Sequence, residues 1–211
     1  MLVAGVAGSV YAARRHPGRW QRPFAYALAA VILVGWAGEY IDDVIEGTYS
    51  TQYTLPLQLT DVISLTTAVA LLTRRPLAVE LAYFWAFTAS LQATLTPDLA
   101  TTFPNVLYFT YFMYHVGAIV AAAFLVWGLR IWPRPHSAWR TFAATLAWAA
   151  IASAGDVIFD GNYMYLRYKP AHNSLLSVLG PWPWYIAATA AVGLAMLLVL
   201  SAITERIRRL G

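Results

Sequence analysis

Polar side chains stranded in otherwise apolar runs are the residues of this chain whose types suit chemistry. Gln58, Thr60 and Asp61 share one such run, and His115 lies in another. Glu39, Gln92 and Asp156 sit in three more. A hydroxyl, an imidazole and a carboxylate form the minimum set for nucleophilic acyl chemistry. The imidazole takes the hydroxyl proton, and the carboxylate orients and stabilises the imidazolium. A neutral amide such as Gln58 or Gln92 can donate to the oxyanion. The same residues also suit a small-solute binding or transport site, or a proton relay, and spacing alone does not choose among these. Each has a plain structural reading as well. A membrane His often bonds between helices, and a helical Thr usually bonds back to its own turn. Gln58 and Gln92 suit interhelical hydrogen bonds, worth ~0.6 kcal/mol each. Asp61 is the hardest to set aside, because a carboxylate in an apolar run has to be paired, protonated or solvated.

The elements that position these residues follow from composition. The chain is 60% hydrophobic and 11% charged, against roughly 25% charged in soluble domains. So few charges cannot cover a water-facing surface. The sequence therefore predicts an all-α membrane protein, a single bundle of about seven transmembrane helices. Spans of about 20 apolar residues fall at 24–45, 55–73, 77–95, 106–131, 138–159 and 184–203. A shorter run over 1–13 precedes them. Its positive charges, Arg14 and Arg15, follow it, which is the wrong order for a signal peptide. It reads as a first helix shortened by truncation or by a late start codon.

Basic residues fall on alternate loops. Arg14, Arg15, Arg19 and Arg22 form one group, Arg74 and Arg75 the next, then Arg130, Arg134 and Arg140, then Arg206, Arg208 and Arg209. The other loops hold only Arg167 and Lys169. The positive-inside rule then predicts the N-terminus outside and the C-terminus in the cytoplasm. Asp42, Asp43, Glu46, Asp98, Asp156 and Asp160 fall on the outer side, with Glu80 and Glu205 as the cytoplasmic exceptions. By helix rise, Gln58, Thr60 and Asp61 lie roughly 5–9 Å below Leu55, and His115 about 13 Å below Val106. The costly polar groups thus gather in the outer half of the bilayer, and such groups mark sites or pathways.

The longest connection, 160–183, is rich in Tyr, Trp, Gly and Pro and reads as a lid on the outer face. Asn162, Tyr163 and Trp184 are its candidate site residues, with Tyr163 and Trp184 expected to line the entrance. The net charge of +4 sits in short loops, so it is a topology signal and no nucleic-acid partner is expected. Cysteine is absent, which excludes disulfides and thiolate chemistry. The only lysine, Lys169, lies in the outer loop, leaving no Schiff-base lysine for retinal in the last helix. No metal and no cofactor are expected.

Three stretches carry a resemblance. They are Leu55-Pro-Leu-Gln-Leu-Thr-Asp61, then Tyr83-Phe-Trp85 continuing to Gln92 and Leu95-Thr-Pro-Asp-Leu99, then Gly161-Asn-Tyr-Met-Tyr165 with Lys169-Pro170, Ser174-Leu-Leu and Leu179-Gly-Pro-Trp-Pro-Trp-Tyr185. On these the chain resembles the YwaF-type bacterial integral membrane proteins over nearly its whole length. That group is similar to eukaryotic transmembrane phospholipid acyltransferases and more distantly to the androgen-induced-gene fatty-ester hydrolases. The resemblance implies a bacterial cytoplasmic-membrane protein acting on membrane lipids or a fatty-ester substrate. It also implies a nucleophile after the Leu-Pro motif, where this chain has Thr60, and a His matching His115. The acyltransferases use Cys at the nucleophile position and the hydrolases use Thr. Thr60 therefore excludes a thioester intermediate and leaves an ester mechanism, with Asp61, Glu39 or Asp156 as the supporting carboxylate.

Overall fold

A computed structural model of the protein describes residues 2–97, 99, 101–170 and 175–210. Met1 of the expected first helix, Asp98 of the outer acidic set and residues 171–174 of the long connection, Ser174 among them, lie outside the described residues. Among those described there are helices and no strand. They are α1 (Leu2–Arg15), α2 (Gln21–Ile45), α3 (Leu59–Thr73), α4 (Pro76–Trp85), α5 (Leu91–Leu95), α6 (Val106–Ala123), α7 (Ser137–Phe159) and α8 (Trp184–Leu210). A π segment, Ala86–Ser90, joins α4 to α5 without a break, and a second, Phe124–Gly128, extends α6.

Local chemistry sets the ends. α4 starts on Pro76, where a missing N–H costs nothing. Asn105 caps α6 by accepting from the Leu107 N–H. α3 starts at Leu59 and not at Leu55, because Gln58 and Asp61 close a capping box there, each side chain accepting from the other's backbone. α8 runs to Leu210, past the expected stop near 203. Its last turns carry Arg206, Arg208 and Arg209, whose charges suit a helix C-terminus.

α2, α6 with its π extension, α7 and α8 are long and apolar enough to cross a membrane, and α3 is apolar but shorter. α6 is the centre of the bundle: it is largely buried, whereas few residues of α2, α7 and α8 are fully buried. α1, α2, α3 and α4 pack on α6, while α7 and α8 pair with each other on the α4 side. The α2–α6 contact is close because it is made by glycines. Gly35 lies against Met113 and Thr110, and Gly117 lies against Ile32, the small-residue approach common to membrane helices.

At one end of the bundle, Glu80 is the polar anchor. Its side chain is 1% exposed and accepts from the Arg134 backbone N–H at 2.9 Å, Arg134 Nε at 2.8 Å and Arg140 Nη2 at 3.0 Å. One carboxylate so ties the start of α4 to the α6–α7 connection and to α7. Removing it leaves the Arg134 backbone N–H without its acceptor and frees both guanidinium groups from α4. Glu80→Ala is therefore expected to lower the thermal midpoint in detergent, whereas Glu205→Ala, which breaks only an exposed 3.8 Å pair with Arg209, leaves it unchanged. Equal shifts in the two variants would refute the anchor.

Candidate functional site

The first turn of α3 brings Gln58, Thr60 and Asp61 together by sequence, and the fold then sends each in a different direction. Asp61 points to α2. Its Oδ1 accepts from Trp36 Nε1 at 3.0 Å and from the Tyr40 hydroxyl at 2.5 Å, and its Oδ2 accepts from the Gln58 N–H at 2.8 Å. The carboxylate is thus fully engaged in holding α2 to the start of α3. Gln58 accepts at Oε1 from the Met164 N–H at 2.8 Å, besides the capping bond. Its amide Nε2 carries no bond among the described residues.

Thr60 falls on the face of α3 that also carries Ser64, Thr67 and Leu71, spaced at i+4, i+7 and i+11. Those three are fully buried, so Thr60 faces the bundle interior. It stays half-buried because it stands in the first turn, at the open end of that face. Most helical threonines here bond back to the preceding turn: Thr73, Thr88, Thr94, Thr145, Thr189 and Thr204 all donate to the i−4 carbonyl. Thr60 cannot, because its i−4 residue, Pro56, precedes the helix. Its hydroxyl makes no bond among the described residues.

His115 is 2% exposed on α6, the helix against which α3 packs. Its ring lies on Tyr111 and Tyr114, with centroids 4.4 and 4.3 Å away. Its Nδ1 is buried without a partner. No hydrogen bond joins His115 to Asp61, Glu39 or Asp156 among the described residues. Glu39 instead receives the Tyr114 hydroxyl, at 3.0 and 3.1 Å from its two oxygens. Asp61 and Glu39, two of the three carboxylates expected to orient the imidazole, are therefore committed to α2–α3 and α2–α6 contacts. Trp36, Tyr40 and Tyr114 complete this polar layer and were not among the expected site residues. The spacing of Trp36 and Tyr40 at i, i+4 would have put them on one face of α2.

Asp156 and the 160–183 connection form a third group. Asp156 Oδ1 accepts from the Tyr163 N–H at 2.6 Å, while its Oδ2 is buried without a partner. Tyr163, expected at an entrance, is fully buried. Its hydroxyl donates to the Thr51 carbonyl at 2.7 Å and accepts from the Leu55 N–H at 2.9 Å. Burial raises its phenol pKa, so it remains protonated as a donor. Asn162 closes the turn, accepting from the Arg167 and Tyr168 N–H groups and donating to the Tyr168 carbonyl. These three residues pin the start of the connection over α3 and α7.

Beside this polar layer lies an apolar cavity of about 290 Å³ between the α4–α5 run, α7 and α8, roofed by Met164, Tyr165 and Leu166. Leu59, immediately before Thr60, and Gln92 belong to its wall. Thr60, His115, Asp61 and Glu39 do not line it. Trp184, expected at the entrance, is 71% exposed at the start of α8 and lies outside the lining.

A family model described as the TMEM164 family matches residues 1–201. The chain belongs to the TMEM164 family. No curated protein and no solved structure matches it. Membership in the TMEM164 family, a transmembrane family, agrees with the long apolar helices, and the chain is a multi-pass membrane protein.

Proposed function

We propose that this TMEM164-family protein is an intramembrane lipid ester hydrolase or acyltransferase of the bacterial cytoplasmic membrane. In this reading seven helices cross the bilayer, the N-terminus is outside, and the site opens to the outer half. The observation that carries the reading is a pair of uncommitted groups on packed helices. The Thr60 hydroxyl, at the open end of its face, escapes the back-bond made by Thr73, Thr88, Thr94, Thr145, Thr189 and Thr204, and the buried His115 keeps a ring nitrogen without a partner.

Thr60 Oγ attacks the acyl carbonyl of a lipid ester while its proton passes to His115. The Gln58 Nε2, one residue before α3, donates to the oxyanion. Collapse expels the lipid alcohol, which leaves with the proton from His115. Water, or the hydroxyl of a second lipid, then attacks the acyl-threonine and frees Thr60. Asp61 and Glu39 serve by fixing α2, α3 and α6 around the pair. The apolar lining beside α3 favours this reading over a small-solute transporter, whose substrate would need polar walls.

The test uses purified protein with a fluorophosphonate probe and a panel of fluorogenic phospholipid and fatty-acid esters. Wild type is expected to label and turn over. Thr60→Ala is expected to lose the label, and His115→Ala to lose roughly 10²-fold or more in rate, the scale of general-base catalysis. Identical background turnover in all three proteins would remove the acyl reading.

A further inference from the structure

We infer that the cavity between α4, α7 and α8 holds one lipid acyl chain lying along the helices, and that Gly193 sets the depth to which the chain reaches. The inference deepens the lipid-ester reading and rests on it for the ester, though not for the chain.

The wall is chemically one-sided. Thr88, Thr145 and Thr189 line it, yet their hydroxyls are spent on the carbonyls of Phe84, Thr141 and Tyr185. Thr145 additionally accepts from Trp85 Nε1 at 2.8 Å. With those protons committed, these residues have no hydroxyl hydrogen to give an occupant, only methyl surface and an acceptor oxygen turned to its own helix. Gln92 is the exception. Its Nε2 donates to Thr96 at 2.8 Å, which leaves its carbonyl oxygen and second N–H available at the end of the cavity nearest the 160–183 connection. A long apolar body with one polar group at the connection end is what such a site accepts.

The source of that body is the surrounding lipid. Leu146 on α7 and Met196 on α8 both line the cavity and are 47% and 39% exposed. In a membrane those side chains face hydrocarbon, so the gap between α7 and α8 admits a lipid tail without passage through water. The cavity spans Tyr185 to Leu197 on α8. That is about 18 Å of helix rise, more than half of a hydrocarbon core of about 30 Å. The proportions fit a single chain running parallel to the bundle.

Gly193 stands toward the far end of this wall. A Cβ built on it meets nothing within 4 Å. Gly193 lines the cavity, so a side chain grown from it meets no neighbour at its first atom and takes up space otherwise open to a chain. Gly193 is thus a specificity-determining position.

The experiment is photolabelling in nanodiscs by phosphatidylcholines carrying a terminal diazirine on acyl tails of graded length, with cross-links mapped by mass spectrometry. In wild type, long tails are expected to label Met196 and Leu197. In Gly193→Leu, that labelling is expected to fall by about tenfold or more, the scale on which an overfilled apolar site rejects an occupant. Short tails, ending near Thr189, label both proteins alike. Gly8→Leu is the control, since Gly8 also has open space around it but lies on α1. Ala149→Phe, which enters from the α7 wall, repeats the test should Gly193→Leu fail to fold. Thr60→Ala is expected to label as wild type does. Labelling without ester turnover would sink the chemistry alone. Turnover with no cavity label above that on lipid-facing Val34 of α2, or long-tail labelling unaltered in both filled variants, would overturn the chain site.

Discussion

Asp61→Ala is expected to be the most damaging polar substitution in the bundle. The carboxylate satisfies three donors at once: the Trp36 indole, the Tyr40 hydroxyl and the Gln58 backbone N–H. Alanine leaves all three facing a buried site. Each unsatisfied donor costs about 1–3 kcal/mol, so even partial loss exceeds the usual single-substitution effect of about 1 kcal/mol. The capping box goes with it, and the first turn of α3, which presents Thr60, loses its lock. Asp61→Asn is the informative intermediate. The amide carbonyl that it introduces still accepts from Trp36 and Tyr40, but the amide NH₂ meets the Gln58 N–H donor to donor. Stability in Asp61→Asn is therefore expected to fall between wild type and Asp61→Ala. Thermal unfolding of the three proteins in one detergent gives the order. An alanine variant as stable as wild type would show that Asp61 does not hold α2 to α3.

Gly35→Ala is expected to rank close behind, for a steric reason. A Cβ at Gly35 would lie 2.8 Å from Met113 Cβ and 2.9 Å from the Thr110 carbonyl oxygen. The second neighbour is backbone, so relief requires α2 to move off α6. Overpacking of this kind costs about 1–3 kcal/mol. Displacing α2 also pulls Glu39 from Tyr114 and Tyr40 from Asp61, since both contacts share that helix with Gly35. At Gly8 the same change meets no neighbour and improves helix propensity by up to about 1 kcal/mol. The two substitutions are therefore expected to shift an unfolding midpoint in opposite directions, and shifts of the same sign would defeat the packing argument.

Hydropathy and charge carried much of the architecture. α2, α7 and, with its π extension, α6 start and stop within a few residues of their apolar runs, because the same run that suits lipid also suits a helix. The π extension Phe124–Gly128 is helical too, but hydropathy does not distinguish it from α-helix. α3 shows what such counting misses: Leu55–Leu57 are as apolar as the helix itself, and only the Gln58–Asp61 box starts it. Depth alone singled out Asp61 as needing a reason, yet the reason, Trp36 with Tyr40, depends on how α2 is rotated. Tyr163 has the composition of an interfacial aromatic and is buried because Asp156, Thr51 and Leu55 all bond to it. Of the cavity wall, only Gln92 stands out by residue type. Leu59, Trp85 and Gly193 are ordinary residues in apolar helices until three helices enclose a space between them.

The π segment at Ala86–Ser90 gives this wall one residue of latitude in chain length. There the Leu91 N–H reaches back five residues to the Ala86 carbonyl, so the helix carries one residue more than an α-turn needs. Loss of one residue inside the segment would remove that surplus and leave plain α-helix with α5 close to its present facing, whereas in a helix without the surplus one residue lost turns everything beyond it by about 100°. Gln92, the polar end of the cavity, would then keep its place. The segment thus absorbs one residue of length without turning the cavity's polar end, and relatives one residue shorter there would still present the side chain at Gln92's place to the same space.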